Sequence, residues 1–132
     1  DGLLEACHWH GKRFDSEEHV HPLLFRAFGG GLVSVDPRRV FPGVALALRW
    51  PWIRSAAAGA LLQCCLPLLR TRRSRARLRM VGHRGVLTAA MVYDQLPIID
   101  VYRRLDDATV LGLMDLKGMA QPFFFLLRRE TG

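Results

Sequence analysis

The sequence predicts a mainly β protein, an antiparallel meander with one helical insertion, curled into a small barrel or half-barrel. Two observations carry this prediction. Along residues 75–80 arginines alternate strictly with apolar residues, which is the two-residue period of a half-buried strand. Several such runs, joined by short polar turns, follow one another between Arg75 and Arg129. Their apolar face has to be buried, and curling or a covering helix achieves this.

The strands of the meander are expected at regular intervals. We place them at Arg75–Val81, Val86–Tyr93, Ile98–Leu105, Thr109–Asp115 and Phe123–Leu127. The first two are joined by a turn at residues 82–85. Residues 94–97 interrupt the β structure between the second and third strands, because Pro97 cannot donate a hydrogen bond to a neighbouring strand.

The N-terminal part predicts shorter elements. Trp9 to Phe14 is typical of a strand, and residues 15–20 (DSEEHV) predict one helical turn capped by Asp15 or Ser16. LLFRAF and LVSVD flank three consecutive glycines, which predicts a hairpin because glycine supplies the positive φ that a tight reversal needs. Pro37 is expected to end the second strand of this hairpin.

From Val40 to Leu69 alanine and leucine replace the β-branched residues, and apolar residues recur every three or four positions. This spacing predicts the principal helix between Ile53 and Leu66, with Pro67 ending or kinking it. We expect a single domain over residues 1–132, divided into an N-terminal part (1–43), a helical insertion (44–74) and a C-terminal meander (75–130).

Composition excludes some classes of protein. Half of the 132 residues are hydrophobic, which argues against intrinsic disorder. The net charge of +7 is concentrated in arginines of residues 70–79, but no aromatic residues interleave with them, so nucleic-acid binding is not expected. The apolar stretch Ala56 to Leu69 is too short to span a bilayer. Contact with a membrane surface through residues 53–79 stays open as an alternative.

The three cysteines do not form a disulfide framework. Cys64 and Cys65 are adjacent and cannot bridge each other without strain. We expect all three thiols to be reduced, which favours a cytoplasmic location.

Several motifs resemble a known family. The N-terminal run, with WHGKRF and HPLLF, is similar to the GXWXG protein family, and YDQLPIID and LMDLKG resemble the domain of unknown function that accompanies it in small bacterial proteins. The Gly-x-Trp-x-Gly motif itself is expected upstream of Asp1. The resemblance implies no established catalytic activity. Similar Gly-x-Trp starts in lipocalin-like barrels imply an apolar interior, by fold-level analogy.

The YDQLPIID segment holds the candidate catalytic residues. Tyr93 could bind a ligand carbonyl, and Asp94 or Asp100, if buried in apolar surroundings, would have a raised pKa suited to proton transfer. Tyr93 and Asp94 are adjacent, so a regular strand directs them to opposite faces. The alternative is that Asp94 shapes the turn and that Asp100 pairs with a following arginine, Arg103 or Arg104.

An apolar ligand site is predicted on one side of the strand that ends at Tyr93. Alternation places Leu87, Ala89 and Met91 on the same side as Tyr93, and the opposite side, with Thr88 and Asp94, is better suited to water. Phe123 and Phe125 also share a side and would supply aromatic wall. His83 is a further candidate for the polar group that orients a ligand.

Metal binding is a weaker alternative. His8 and His10 are two residues apart, so a strand would direct both to one face, where they could share a metal or reach a haem iron. No cysteine or carboxylate stands beside them at ligand spacing. We therefore expect no cofactor.

These observations favour a small β protein that binds an apolar, lipid-like molecule in its interior. A small cavity enzyme, an isomerase or hydrolase using Tyr93 with Asp94 or Asp100, is the alternative from another class, and an enzyme is not favoured because no nucleophile elbow or phosphate-binding loop is present. A third alternative is a structural or oligomeric protein with a filled core, and homo-oligomer formation stays open.

Overall fold

The computed structural model describes residues 9–40, 42 and 56–130. These residues belong to two compact units, which are described separately. Unit 1 comprises Asp1–Asp15 and Val20–Arg75, and unit 2 comprises Ser16–His19 and Ala76–Gly132.

Unit 1 contains three short antiparallel strands. They are β1 (Trp9–Phe14), β2 (Val20–Arg26) and β3 (Leu32–Ser34). β2 pairs with both β1 and β3, so the predicted hairpin around the three glycines is confirmed. The reversal is closed by two backbone hydrogen bonds between Ala27 and the glycines, and Gly30 has a φ of 87°.

A helical turn at residues 37–40 follows β3 because of two side chains at its start. The Asp36 carboxylate accepts a hydrogen bond from the Arg38 backbone N–H at 3.0 Å, which is the contact of an N-cap residue. Pro37 then occupies the first helical position, where its missing N–H costs nothing. Asp36 therefore turns the chain from strand to helix.

The principal helix, α1, runs over Ala56–Leu69. The start of the predicted helix, at Ile53, lies outside the described residues. Pro67 was expected to end or kink the helix, and it does not end it, because α1 continues to Leu69 with Pro67 inside its last turn. A proline this close to the C-terminus removes only one hydrogen bond of the helix. α1 packs its inner side on the core of unit 1, in which Phe25, Val35, Val40 and Leu66 are buried.

The segment after β1 does not form the predicted helical turn. Residues 15–18 are bends, and Ser16 and His19 exchange two backbone hydrogen bonds of 3.2 and 3.3 Å. This reciprocal pair closes a tight reversal. The Ser16 side chain, at 3.0 Å from His19 Nδ1, is used within the turn rather than as a cap.

Unit 2 contains the predicted meander. Its strands are β4 (Ala76–His83), β5 (Val86–Tyr93), β6 (Ile98–Arg104), β7 (Thr109–Leu116) and β8 (Phe123–Arg128). Each pairs antiparallel with the next. The first turn is tighter than predicted: His83 pairs with Val86, which leaves only Arg84 and Gly85 between the strands. The break at 94–97 is confirmed.

The predicted fold class, mainly antiparallel β with a helical insertion, is thus confirmed. In the part of the chain that is described, no helix has the length and apolarity to cross a membrane. Cys64 and Cys65 carry free thiols, as predicted, and Cys7 lies outside the described residues.

Candidate functional site

The register of unit 2 brings the predicted ligand-binding residues to one face of its sheet. Directly opposed residues of antiparallel strands lie on the same face. Met91 is opposite Leu78 and Asp100, Asp100 is opposite Met114, and Met114 is opposite Phe123. We call this side the Tyr93 face. It carries all six predicted residues, Leu87, Ala89, Met91, Tyr93, Phe123 and Phe125.

The Tyr93 face changes from buried to exposed along its length. Met91 is fully buried and Tyr93 is 6% exposed. Toward the turn between β4 and β5, Leu87 is 68% exposed and Met80, which pairs with Ala89, is 61% exposed. Large apolar side chains at one end are thus open to solvent, while the other end is enclosed.

The enclosed end holds a carboxylate between two phenols. Asp100 is 1% exposed, and Tyr93 and Tyr102 are also buried. Burial raises the pKa of Tyr93 well above its ordinary value, and the charges of Asp100 and Tyr102 raise it further. Burial and then the Asp100 carboxylate raise the pKa of Tyr102 in the same direction. Both phenols therefore keep their protons at neutral pH and serve as hydrogen-bond donors.

Tyr102 is the member of this cluster that the sequence did not reveal. Its hydroxyl donates to Met91 Sδ at 3.9 Å, and its ring meets the Phe125 ring edge-to-face at 6.3 Å between centroids. Tyr102 lies two residues after Asp100, so the strand period alone would have placed both on one face. The signal was present in the alternation of β6.

Asp94 does not join the cluster. It accepts a hydrogen bond from Arg77 at 3.2 Å, and Arg77 is opposite Val92, on the face away from Met91. The structure therefore brings Tyr93 together with Asp100 and separates both from Asp94. The two arginines that could have paired with Asp100 also have other contacts: Arg103 donates to the His83 carbonyl at 3.1 Å, and Arg104 contacts Asp107.

His83 lies on the other side of the sheet from the predicted ligand. It pairs with Val86, whereas its neighbour Gly82 pairs with Leu87 of the Tyr93 face.

The side of the sheet opposite the Tyr93 face is also less suited to water than predicted. Ala90 is fully buried, Val101 is 5% exposed, and the Thr88 hydroxyl donates to the Tyr102 carbonyl.

The histidine pair proposed for a metal consists of His8 and His10, and His8 lies outside the described residues. His10 is at 3.2 Å from an Arg26 guanidinium nitrogen, which is a poor neighbour for a cation. Among residues 9–40, 42 and 56–130, no three histidines, cysteines or carboxylates come together as metal ligands.

Unit 1 contains a polar chain that the sequence analysis did not find. His21 is 5% exposed; its Nδ1 is 2.9 Å from the Ser34 hydroxyl and its Nε2 is 3.5 Å from the Asp15 carboxylate. The imidazole thereby links the end of β1 to β3 across β2. No local pattern connects residues 13 positions apart, so only the register of the strands reveals this contact.

Comparisons with known proteins agree with these two units. Residues 1–30 match the family described as GXWXG protein, and residues 74–129 match the family described as Domain of unknown function (DUF4334). The chain contains both family regions. The predicted pairing is thereby confirmed, and the DUF4334 region holds all five strands of the meander.

The GXWXG region also explains two residues of β1. Trp9 and Gly11 stand at the Trp-x-Gly spacing of the family's name, and Cys7 stands where that name has its first glycine. Trp9 packs against the core of unit 1. Gly11 lies at a bulge in the register with a φ of 151°, a conformation that side chains rarely adopt.

A solved structure is also similar. A protein from Thermomonospora curvata is 34% identical to this chain, with a TM-score of 0.66. The match covers 98% of this chain and 64% of that protein, so the chain spans about two thirds of its length. None of the curated proteins compared with the chain matches it significantly.

Proposed function

We propose that the protein binds an apolar, lipid-like small molecule on the Tyr93 face of unit 2. The single observation that carries this proposal is the exposure of Leu87 and Met80 on a face whose other end is buried. Exposed apolar residues of this size are costly unless something covers them, and covering them contributes ~25 cal/mol per Å².

The cluster of Tyr93, Asp100 and Tyr102 gives the site an orientation. Both phenols stay protonated at the enclosed end, and a ligand acceptor there would replace the 3.9 Å contact of the Tyr102 hydroxyl with Met91 Sδ. A ligand with an apolar body and one carbonyl or carboxyl acceptor therefore matches the face: its body covers Leu87 and Ala89, and its acceptor meets the phenols. Ala89 and the flexible Met91 leave room for ligands of different shapes.

The test is a titration with the neutral, apolar fluorescent dye Nile red. Ala89→Trp should fill the open part of the face and weaken dye binding by about tenfold or more, ~1.4 kcal/mol. The matched control is Leu126→Trp, because Leu126 is 60% exposed on the opposite side of the sheet, where it pairs with Leu111. Both variants should keep the circular dichroism of the parent.

Two outcomes would contradict the proposal. If the folded Ala89→Trp variant binds the dye as the parent does, the ligand lies elsewhere. If the parent binds no dye at all, the alternative of a structural or oligomeric protein with a filled core is favoured.

A second candidate is proton-transfer catalysis at the same cluster, and the buried carboxylate favours it. Burial in apolar surroundings makes a carboxylate hold its proton more tightly, which is the property of a general base working near neutral pH. In this proposal Asp100 moves a proton and Tyr93 stabilises the developing oxyanion, as in an isomerase that acts on an apolar ketone. Asp100→Asn should then abolish turnover of such a ketone while dye binding persists. Equal turnover by Asp100→Asn and the parent would exclude this role.

We also propose a cytoplasmic location for this binding function. The free thiols of Cys64 and Cys65 support this location. Both side chains are at least partly exposed to solvent, and exposed thiols stay reduced in a reducing compartment.

A further inference from the structure

Helix α1 in unit 1 buries its one polar residue, and it exposes apolar residues on the side away from the core that holds Leu66. Gln63 is 6% exposed and donates from Nε2 to the Arg26 carbonyl at 2.8 Å. In contrast, Leu61 is 66% and Leu68 75% exposed, and Cys64 between them is exposed as well. The outer side of a helix on the surface of a protein in water is normally polar. The exposed side of α1 is therefore suited to an apolar environment.

Four arginines follow or contact the C-terminal end of α1. Arg70, Arg72 and Arg73 follow the helix and are exposed. The Arg39 guanidinium donates to the Leu68 carbonyl at 2.9 Å, which fixes a fourth arginine at the same end while more than half of its side chain stays exposed.

Negative charge is nearly absent there. Residues 56–75 contain no aspartate or glutamate. Asp36 is 7% exposed and is bonded to Arg75 at 3.2 Å, so its charge is compensated within unit 1.

We propose that this side of unit 1, the α1 surface, docks on an anionic phospholipid bilayer. The α1 surface consists of Leu61, Cys64 and Leu68 with Arg39, Arg70, Arg72 and Arg73. The helix lies in the plane of the membrane, its leucines enter the boundary between headgroups and acyl chains, and the guanidinium groups bind lipid phosphates. Charge complementarity identifies the occupant, since each basic residue near an anionic surface contributes about fivefold to binding.

A second copy of the chain fits this surface less well. In a symmetric dimer the same patch of both copies meets, and residues 56–75 of the second copy supply no carboxylate to pair with the arginines. A bilayer rich in phosphate groups has the opposite charge and covers the same leucines. The α1 surface is in unit 1 and the Tyr93 face is in unit 2, so this proposal stands independently of ligand binding.

The experiment measures sedimentation of the full chain with phosphatidylglycerol–phosphatidylcholine vesicles. The parent should bind these vesicles, bind pure phosphatidylcholine vesicles at least tenfold more weakly, and lose binding as salt is raised. A polarity-sensitive fluorophore on Cys64, in a Cys7→Ser, Cys65→Ser background, should shift to the blue when anionic vesicles are added.

Two variants and one control complete the test. Leu68→Glu should abolish vesicle binding, and Arg72→Glu with Arg73→Glu should weaken it by more than tenfold. The control is Leu126→Glu, which changes an equally exposed leucine of unit 2 and should bind as the parent does. Absence of binding to anionic vesicles, unchanged binding by Leu68→Glu, or equal loss with Leu126→Glu would each overturn the proposal. Self-association that Leu68→Glu removes, without vesicle binding, would instead indicate a second copy.

Discussion

The ring of Phe125 lies directly over the backbone of Gly112. The two residues are opposite each other on β7 and β8, and a Cβ on Gly112 would stand 2.3 Å from the Phe125 ring. Gly112 is also opposite Tyr102 on β6. The missing side chain of this glycine therefore lets rings two strands apart meet at 6.3 Å and form the aromatic wall of the Tyr93 face.

Substitution of Gly112 should destabilise the protein. Gly112→Ala forces the Phe125 ring out of place, and we expect a loss of about 1–3 kcal/mol in the free energy of unfolding. Gly82→Ala is the matched control, because Gly82 is also within a strand and a Cβ there would meet nothing within 4 Å. Urea denaturation measures both. Equal stability of the two variants would show that Phe125 moves aside without cost.

The ionisation of the two tyrosines tests whether the buried cluster is shielded from water. Tyr93 and Tyr102 are the only tyrosines in the chain, so tyrosinate absorbance reports on them alone. Because the pKa of each is raised by burial, the native protein should show no tyrosinate at a pH where free tyrosine is half ionised, about 10. In denaturant both should titrate normally. Ionisation of the native protein near pH 10 would mean that the cluster is open to water.

The same shifts predict how stability changes in alkali. The folded pKa of Tyr93 lies above the unfolded one, so between these values the unfolded state has released a proton that the native state still holds. The stabilisation is fully present below about pH 10 and is lost as the pH rises toward the folded pKa. Each tyrosine contributes up to about 1.4 kcal/mol per pH unit. Tyr93→Phe should reduce this slope in denaturation experiments above pH 10, and an unchanged slope would contradict the shift.

Asp36 should be among the most sensitive polar residues of unit 1. It caps the turn at 37–40 and bonds to Arg75, and both interactions are largely shielded from water. We expect Asp36→Ala to cost about 3–5 kcal/mol, since it removes both the N-cap and the shielded carboxylate that bonds to Arg75. The control is Asp107→Ala, because Asp107 is 95% exposed in its ion pair with Arg104 and should contribute ~0–1 kcal/mol. Thermal unfolding that moves equally in both variants would contradict this account.

The sequence predicted the elements that local pattern controls. The turns on either side placed β5 at its observed bounds, and the two-residue period assigned Leu87, Ala89, Met91 and Tyr93 to one face. Pro67 was expected to end or kink α1, but the helix continues past it to Leu69, because a proline in the last turn removes only one hydrogen bond. The prediction of a helical turn after β1 was wrong, because the Ser16 side chain bonds to His19 instead of capping a helix.

Contacts between distant residues could not be predicted. Asp94 and Asp100 were equal candidates in the sequence, and only the pairing of Arg77 with Val92 shows why Asp94 is drawn to the other side. The His21–Ser34 contact likewise depends on the register of two strands. Sequence pattern thus determines which face a residue takes, whereas its partner depends on strand register.

The most direct test of the proposed ligand site uses the methyl groups of methionine. The chain has four methionines. Met80, Met91 and Met114 lie on the Tyr93 face, and Met119 lies in the turn after β7 and serves as an internal reference. Their methyl resonances, labelled with carbon-13 and assigned by Met→Leu substitution, would be followed by NMR as a medium-chain fatty acid is added. We predict saturable shifts of Met80, Met91 and Met114 with Met119 unchanged. Saturable shifts confined to Met119, or no shift at any methionine, would contradict ligand binding on this face.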